Sequence, residues 1–157
     1  MRSKIIYLMF LLCLLPRYAS AENNPELIAE LNRVFTLEIQ SLQQCEHDSE
    51  VFNVAMPFHR IILEKQETVK SLADVIDALN GDAEKNRLPI VKTTQLDKAL
   101  VIDAEAQIEI IDRYDKLLAA FGYPEVRRIV VIARSRALRH FMLLTNMAQK
   151  IGIKWTD

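Results

Sequence analysis

The chain has three glycines and five prolines in 157 residues, and their placement limits its fold more than any other feature. Beyond the first two dozen residues, Pro25, Pro57, Gly81, Pro89, Gly122 and Pro124 flank long stretches of helical periodicity, and none interrupts one. Proline inside a helix costs about 3 kcal/mol and glycine about 1 kcal/mol, so such residues mark element ends. Four amphipathic segments follow from this punctuation. The first runs from about Pro25, with Asn24 as N-cap, to about His47. Residues 48–55 read as a short connection. The second segment runs from about Pro57 to Asn80 and stops at Gly81, which suits a C-cap. A polar linker containing Pro89 spans residues 81–93. The third segment starts after Thr94 and ends near Phe121, before the break Gly122-Tyr123-Pro124. The fourth runs from Pro124 to about Lys150, and a tail follows in which Trp155 is expected to fold back on the helices.

Four long helices in one small domain predict an all-α four-helix bundle. Short connections make the first and second helices antiparallel neighbours, and the third and fourth likewise. The linker of about 14 residues between the second and third could reach about 45 Å at ~3.3 Å per residue. That is enough to cross the bundle from end to end. The expectation is therefore a crossover connection, with helices 2 and 3 roughly parallel.

The first 21 residues read as an export signal. Arg2 and Lys4 precede the apolar run 5–15, which is too short to remain as a membrane span, and Ala19-Ser20-Ala21 fits a cleavage site. The mature chain, 22–157, should begin near Glu22 and lie in the periplasm or outside the cell, with no membrane attachment. It retains 17 basic against 21 acidic side chains, a formal charge of −4. Without a basic stripe or interleaved aromatics, this argues against nucleic acid as a partner. Cys45 is its single cysteine and has no internal disulfide partner; its place on an apolar stripe favours a buried hydrophobe.

Glu38 is the residue that most needs an explanation. At about 100° per residue, Leu27, Leu31, Val34, Leu42 and Cys45 all fall within roughly 40° of it. The carboxylate therefore sits at the centre of the first helix's apolar stripe. A charge there must be paired, hydrogen-bonded or metal-bound, or it must be protonated. Glu38 and Glu64 are equidistant from Val51, so an antiparallel hairpin sets them level, with Glu67 one turn on. Glu105 and His140 stand level in the same way about Gly122. Glu105 flanks the face of Val101 and Ile108, and His140 lies on the stripe of Val126, Val130, Ala133, Ala137 and Leu144. With a crossover, Glu38, Glu64, Glu105 and His140 reach one level. Carboxylates and one imidazole at such a level suit iron or manganese. The competing reading answers Glu38 with an internal cation, Lys65, Arg134 or Arg136. Arg127, Arg128, Arg134, Arg136 and Arg139 read as a solvated face pairing with acids of the third helix. His47 and His59 lie off these faces. No nucleophile–base pair, phosphate loop or zinc-finger spacing is present.

Several short patterns carry a resemblance: Leu31-Asn32-x-x-x-x-Leu37-Glu38, Glu64-x-x-Glu67, Ala99-Leu100 with Ala104-Glu105 and Tyr114, and Ser135-x-Ala137-x-x-His140. Across residues 26–148 the chain resembles the ferritin-like superfamily, nearest its rubrerythrin-like and uncharacterised secreted members. The resemblance implies a crossover bundle, oxidase or peroxide-handling chemistry, association into homo-oligomers, and a carboxylate metal site. Residue by residue it implies Glu38 as the first-helix ligand, Glu64 as a bridging ligand, Glu67 in the place of a histidine, Glu105 on the third helix and His140 on the fourth. Ala137 stands where the family has a fourth-helix bridging glutamate. Two metals about 3.5–4 Å apart depend on bridging anions, so this departure lowers the expected content to zero or one iron or manganese per chain. Two functions are therefore expected from the sequence. One is an exported ferritin-like protein that binds iron or manganese. The other is a metal-free bundle serving as a binding or structural module of the cell envelope.

Overall fold

A computed structural model describes residues 24–86 and 88–153. The expected export signal, the start near Glu22 and Trp155 lie outside the described residues. Four helices and no strands are present among the described residues: α1 (Pro25–Phe52), α2 (Phe58–Ala78), α3 (Leu96–Ala120) and α4 (Pro124–Lys150).

Local chemistry sets both ends of α1 and the end of α2. Asn24 Oδ1 accepts from the Leu27 amide at 3.0 Å, and Pro25 fills the first turn, where no amide hydrogen is needed. α1 runs a full turn beyond the expected His47. Asp48, expected in a connection, is instead fully buried on the core side and accepts from Gln44 Nε2 at 2.9 Å. The helix ends where Asn53 turns left-handed, at φ 51°. At the end of α2 the left-handed residue is Asn80, φ 57°, and the Gly81 amide closes back onto Ile76 O at 2.9 Å. Gly81 is needed there for a different reason. A Cβ at this position would lie 2.7 Å from Ile28 Cγ2, so its absence lets the turn close against α1.

Each helix packs on two others: α1 on α2 and α3, and α4 on α2 and α3. Contacts run in opposite senses along these pairs. Between α1 and α3, Glu38 meets Tyr114 and Ser41 meets Gln107. Between α2 and α4, Glu64 meets His140 and Thr68 meets Arg136. The linker between α2 and α3 is tied along α1 in sequence order. Asn32 bonds Asp82 O and the Glu84 amide, Gln40 bonds Pro89 O, and Gln44 bonds both the amide and the carbonyl of Val91. These amide side chains satisfy linker backbone groups that no regular structure would pair.

The core has two apolar parts. One gathers Leu31, Val34, Phe35, Leu72, Ile76, Tyr114 and Val130; the other gathers Cys45, Phe58, Ile61, Leu100, Ala104 and Leu144. Between them lies a layer of buried polar groups to which all four helices contribute.

Candidate functional site

Glu38 occupies that layer, 2 % exposed, as its place on the stripe requires. Both of its oxygens are taken by protein donors. Lys65 Nζ lies 2.7 Å from Oε2, and the Tyr114 hydroxyl donates to Oε1 at 2.8 Å. Lys65 itself is fully buried, its stem following the stripe of Ile61, Thr68 and Leu72. The ammonium and the phenol thus answer the charge of Glu38. Burial, reinforced by the adjoining Glu38 carboxylate, pushes the Tyr114 hydroxyl well above its ordinary range and fixes it as a donor.

Glu64 is at the margin of the layer and draws three donors. Arg60 Nε reaches Oε1 at 3.1 Å, while Arg139 Nη2 and His140 Nε2 both reach Oε2 at 3.0 Å. Burial raises its carboxyl, but the hydrogen bonds from Arg139, Arg60 and His140 outweigh that and hold it at about 2. Burial, and then the charge of Lys65, press His140 down to about 4. The imidazole is neutral at pH 7. Since a carboxylate can only accept, its single hydrogen is on Nε2, leaving Nδ1 buried with no partner. Glu67 is exposed and pairs with Arg136 at 2.6 Å. Two of the fourth helix's arginines therefore turn to α2; among the described residues Arg134 alone pairs with an acid of α3, Asp115.

Glu105 is exposed and lines a shallow groove with Gln40, Gln44 and Glu109. The face of Val101 and Ile108, which suggested it, points outward: Ile108 is 49 % exposed. The core face of α3 is instead Ala99, Leu100, Asp103, Ala104, Gln107, Ile110 and Tyr114. Asp103 and Gln107 are the polar residues that the sequence reading missed. Their signal was present, since both fall on the stripe of Ala99, Leu100, Ala104 and Tyr114. Gln107 Nε2 donates to Ser41 Oγ at 2.8 Å, whereas one oxygen of Asp48 and the carbonyl of Gln107 have no protein partner, and the Asp103 carboxyl has only the weak donor Cys45 beside it. Burial, and then the charge of Asp48, push the Asp103 carboxyl up to about 8, so it is largely protonated at neutral pH. Burial likewise pushes the neighbouring Cys45 thiol well up, which makes it a poor nucleophile.

The fit of this layer to iron or manganese can be judged from its donors. Of the five residues expected as ligands, Glu38 is bonded to Lys65 and Tyr114, Glu64 to two arginines and His140, and Glu67 to Arg136, while Glu105 faces away. Among the described residues no group of three or more His, Cys, Asp and Glu side chains is placed to hold a metal ion. Cations of the chain, Lys65, Arg139 and Arg136, already stand beside Glu38, Glu64 and Glu67, the carboxylates whose charge a metal would share. No described helix is long and apolar enough to cross a membrane. No family model matches the chain, and no curated protein or solved structure matches it.

Proposed function

We propose that this protein is an exported four-helix bundle of ferritin-like layout that works without a metal, as a binding or structural module of the cell envelope. The linker supports the crossover. It meets α1 first at Asn32 and last at Gln44, and so runs from one end of the bundle toward the other. The opposed senses of the α1–α3 and α2–α4 contacts agree with parallel helices 2 and 3.

The observation that carries the metal-free reading is the 2.7 Å contact between Lys65 Nζ and Glu38 Oε2, both buried. An ammonium on that carboxylate supplies the positive charge that a metal supplies in a di-metal bundle, and a cation bound there would have to displace it. Ala137, 1 % exposed and packed in the apolar part of the core, adds no fourth-helix carboxylate.

Titration of chelator-free protein with manganous or ferrous ion tests the reading. No saturable binding is expected, either in the wild type or in Ala137→Glu, because Lys65 remains in place. One metal per chain in the wild type, lost in Glu38→Gln, would overturn the metal-free reading and restore the iron or manganese protein.

A further inference from the structure

Three parts of the chain meet at one end of the bundle: the last turns of α1, the end of the linker and the first turn of α3. Between them lies an open pocket of about 480 Å³ whose lining includes His47, Lys92, Thr93 and Lys98. No acid lines it, although acids outnumber bases in the chain as a whole. None of His47, Lys92 and Lys98 forms an ion pair among the described residues. Thr93 Oγ1 accepts from the Gln95 amide at 3.2 Å, which leaves its own hydrogen to donate. Gln95 is the N-cap of α3 but makes no side-chain cap, so the first amides of that helix also lack a side-chain acceptor. Donors in want of an acceptor therefore gather around this pocket.

A second pocket, of about 270 Å³, adjoins the first at Lys98, which lines both. Its other walls are Val101, Ile102 and Ile153, with Asp97 the one acid on either lining. Val101 and Ile102 stand one turn beyond Lys98 on α3, so an apolar recess begins where the basic one ends. The Lys98 stem suits the one and its ammonium the other.

We propose that the two recesses together bind one anionic amphiphile. Its phosphate monoester is held by Lys92, Lys98 and His47, and its medium-length alkyl chain lies on Val101, Ile102 and Ile153. A phosphate dianion answers two ammonium groups, where a carboxylate would leave one unanswered. A free alkyl phosphate and a phospholipid headgroup share this chemistry. Two adjoining recesses suit a single free molecule, and the formal −4 of the mature chain opposes its approach to an anionic bilayer. The inference names a ligand for the binding module proposed above and rests on that reading. The two fail separately, because metal titration reads the core and this site lies at the end of the bundle.

Calorimetric titration of the full mature chain at low salt is the test, with octyl phosphate kept below its micellisation concentration. One octyl phosphate per chain is expected, bound more weakly as salt rises. Lys92→Ala and Lys98→Ala should each weaken binding about tenfold. Both side chains are exposed, so these variants should keep wild-type helicity and urea unfolding. Inorganic phosphate alone and octanol alone should each bind at least about tenfold more weakly than octyl phosphate. No saturable binding overturns the proposal, as does binding indifferent to both lysine substitutions. Inorganic phosphate that binds as tightly as octyl phosphate overturns the amphiphile. So does a chain that ignores monomeric octyl phosphate but binds phosphatidylglycerol vesicles, because the patch would then serve a lipid surface.

Discussion

At the residue scale the central arrangement is a carboxylate satisfied from within the chain. Glu38 has two oxygens and two protein donors, Lys65 and Tyr114, each under 3 Å away. Asp103 presents the opposite case, a buried carboxyl with no cation or strong donor bonded to it and only the Cys45 thiol beside it. Its folded value near 8 lies above the ordinary 3.8, so the folded state holds the proton more tightly than the unfolded chain. The stability this gives is complete below about pH 4 and is lost as the pH rises through 8. His140 has the reverse sign. Its folded value near 4 lies below 6.5, so stability falls as the pH drops from 6.5 to 4, and Glu64 adds a loss as the pH falls from 4.5 toward 2. Of these three groups only Asp103 changes above pH 6.5. Urea unfolding should therefore show stability declining between pH 6.5 and 8, and Asp103→Asn should remove most of that decline. An undiminished decline in the variant would show that another group is responsible.

At the scale of the element, the helices were legible because glycine and proline punctuate them so cleanly; α4 occupies the very span read from Pro124 to Lys150. The end of α1 was not legible, because Asp48 looked like a turn residue and its burial beside Gln44 depends on the other helices. On α3 the sequence offered two apolar stripes, and periodicity alone does not say which faces inward. Choosing the stripe of Val101 and Ile108 brought Glu105 into the expected site. Asp103, two residues earlier and about 200° around the helix, is the acid that faces the core. The burial of Glu38 was readable, but its counter-charge was not: a metal ion and an ammonium satisfy a carboxylate equally well on paper. The linker gives a separate expectation. Gln44 ties both polar groups of Val91, so Gln44→Ala should release that stretch. Amide exchange at Val91 should quicken by about tenfold or more, with the helix cores of α2 and α4 unchanged. Equal exchange in the two proteins would mean that the linker is held by something else.

At the scale of the whole molecule, a polar layer divides the core, and the apolar stripes of all four helices continue on both sides of it. Such a layer is costly unless its members satisfy one another, and in return it ties the register of the helices to a single arrangement. Glu38 and Lys65 hold α1 to α2, Tyr114 and Gln107 hold α3 to α1, and His140 holds α4 to α2. Removing one partner of a buried pair strands the other, at about 3–5 kcal/mol, whereas removing both leaves a smaller penalty. The direct test is a double-mutant cycle read by global urea unfolding at one protein concentration, with Glu38→Gln, Lys65→Met and the pair together. The expected result is a loss of roughly 3–5 kcal/mol in each single variant and a double variant well short of their sum. Losses that simply add, or a Lys65→Met protein as stable as the wild type, would contradict an internal ion pair at the centre of this bundle.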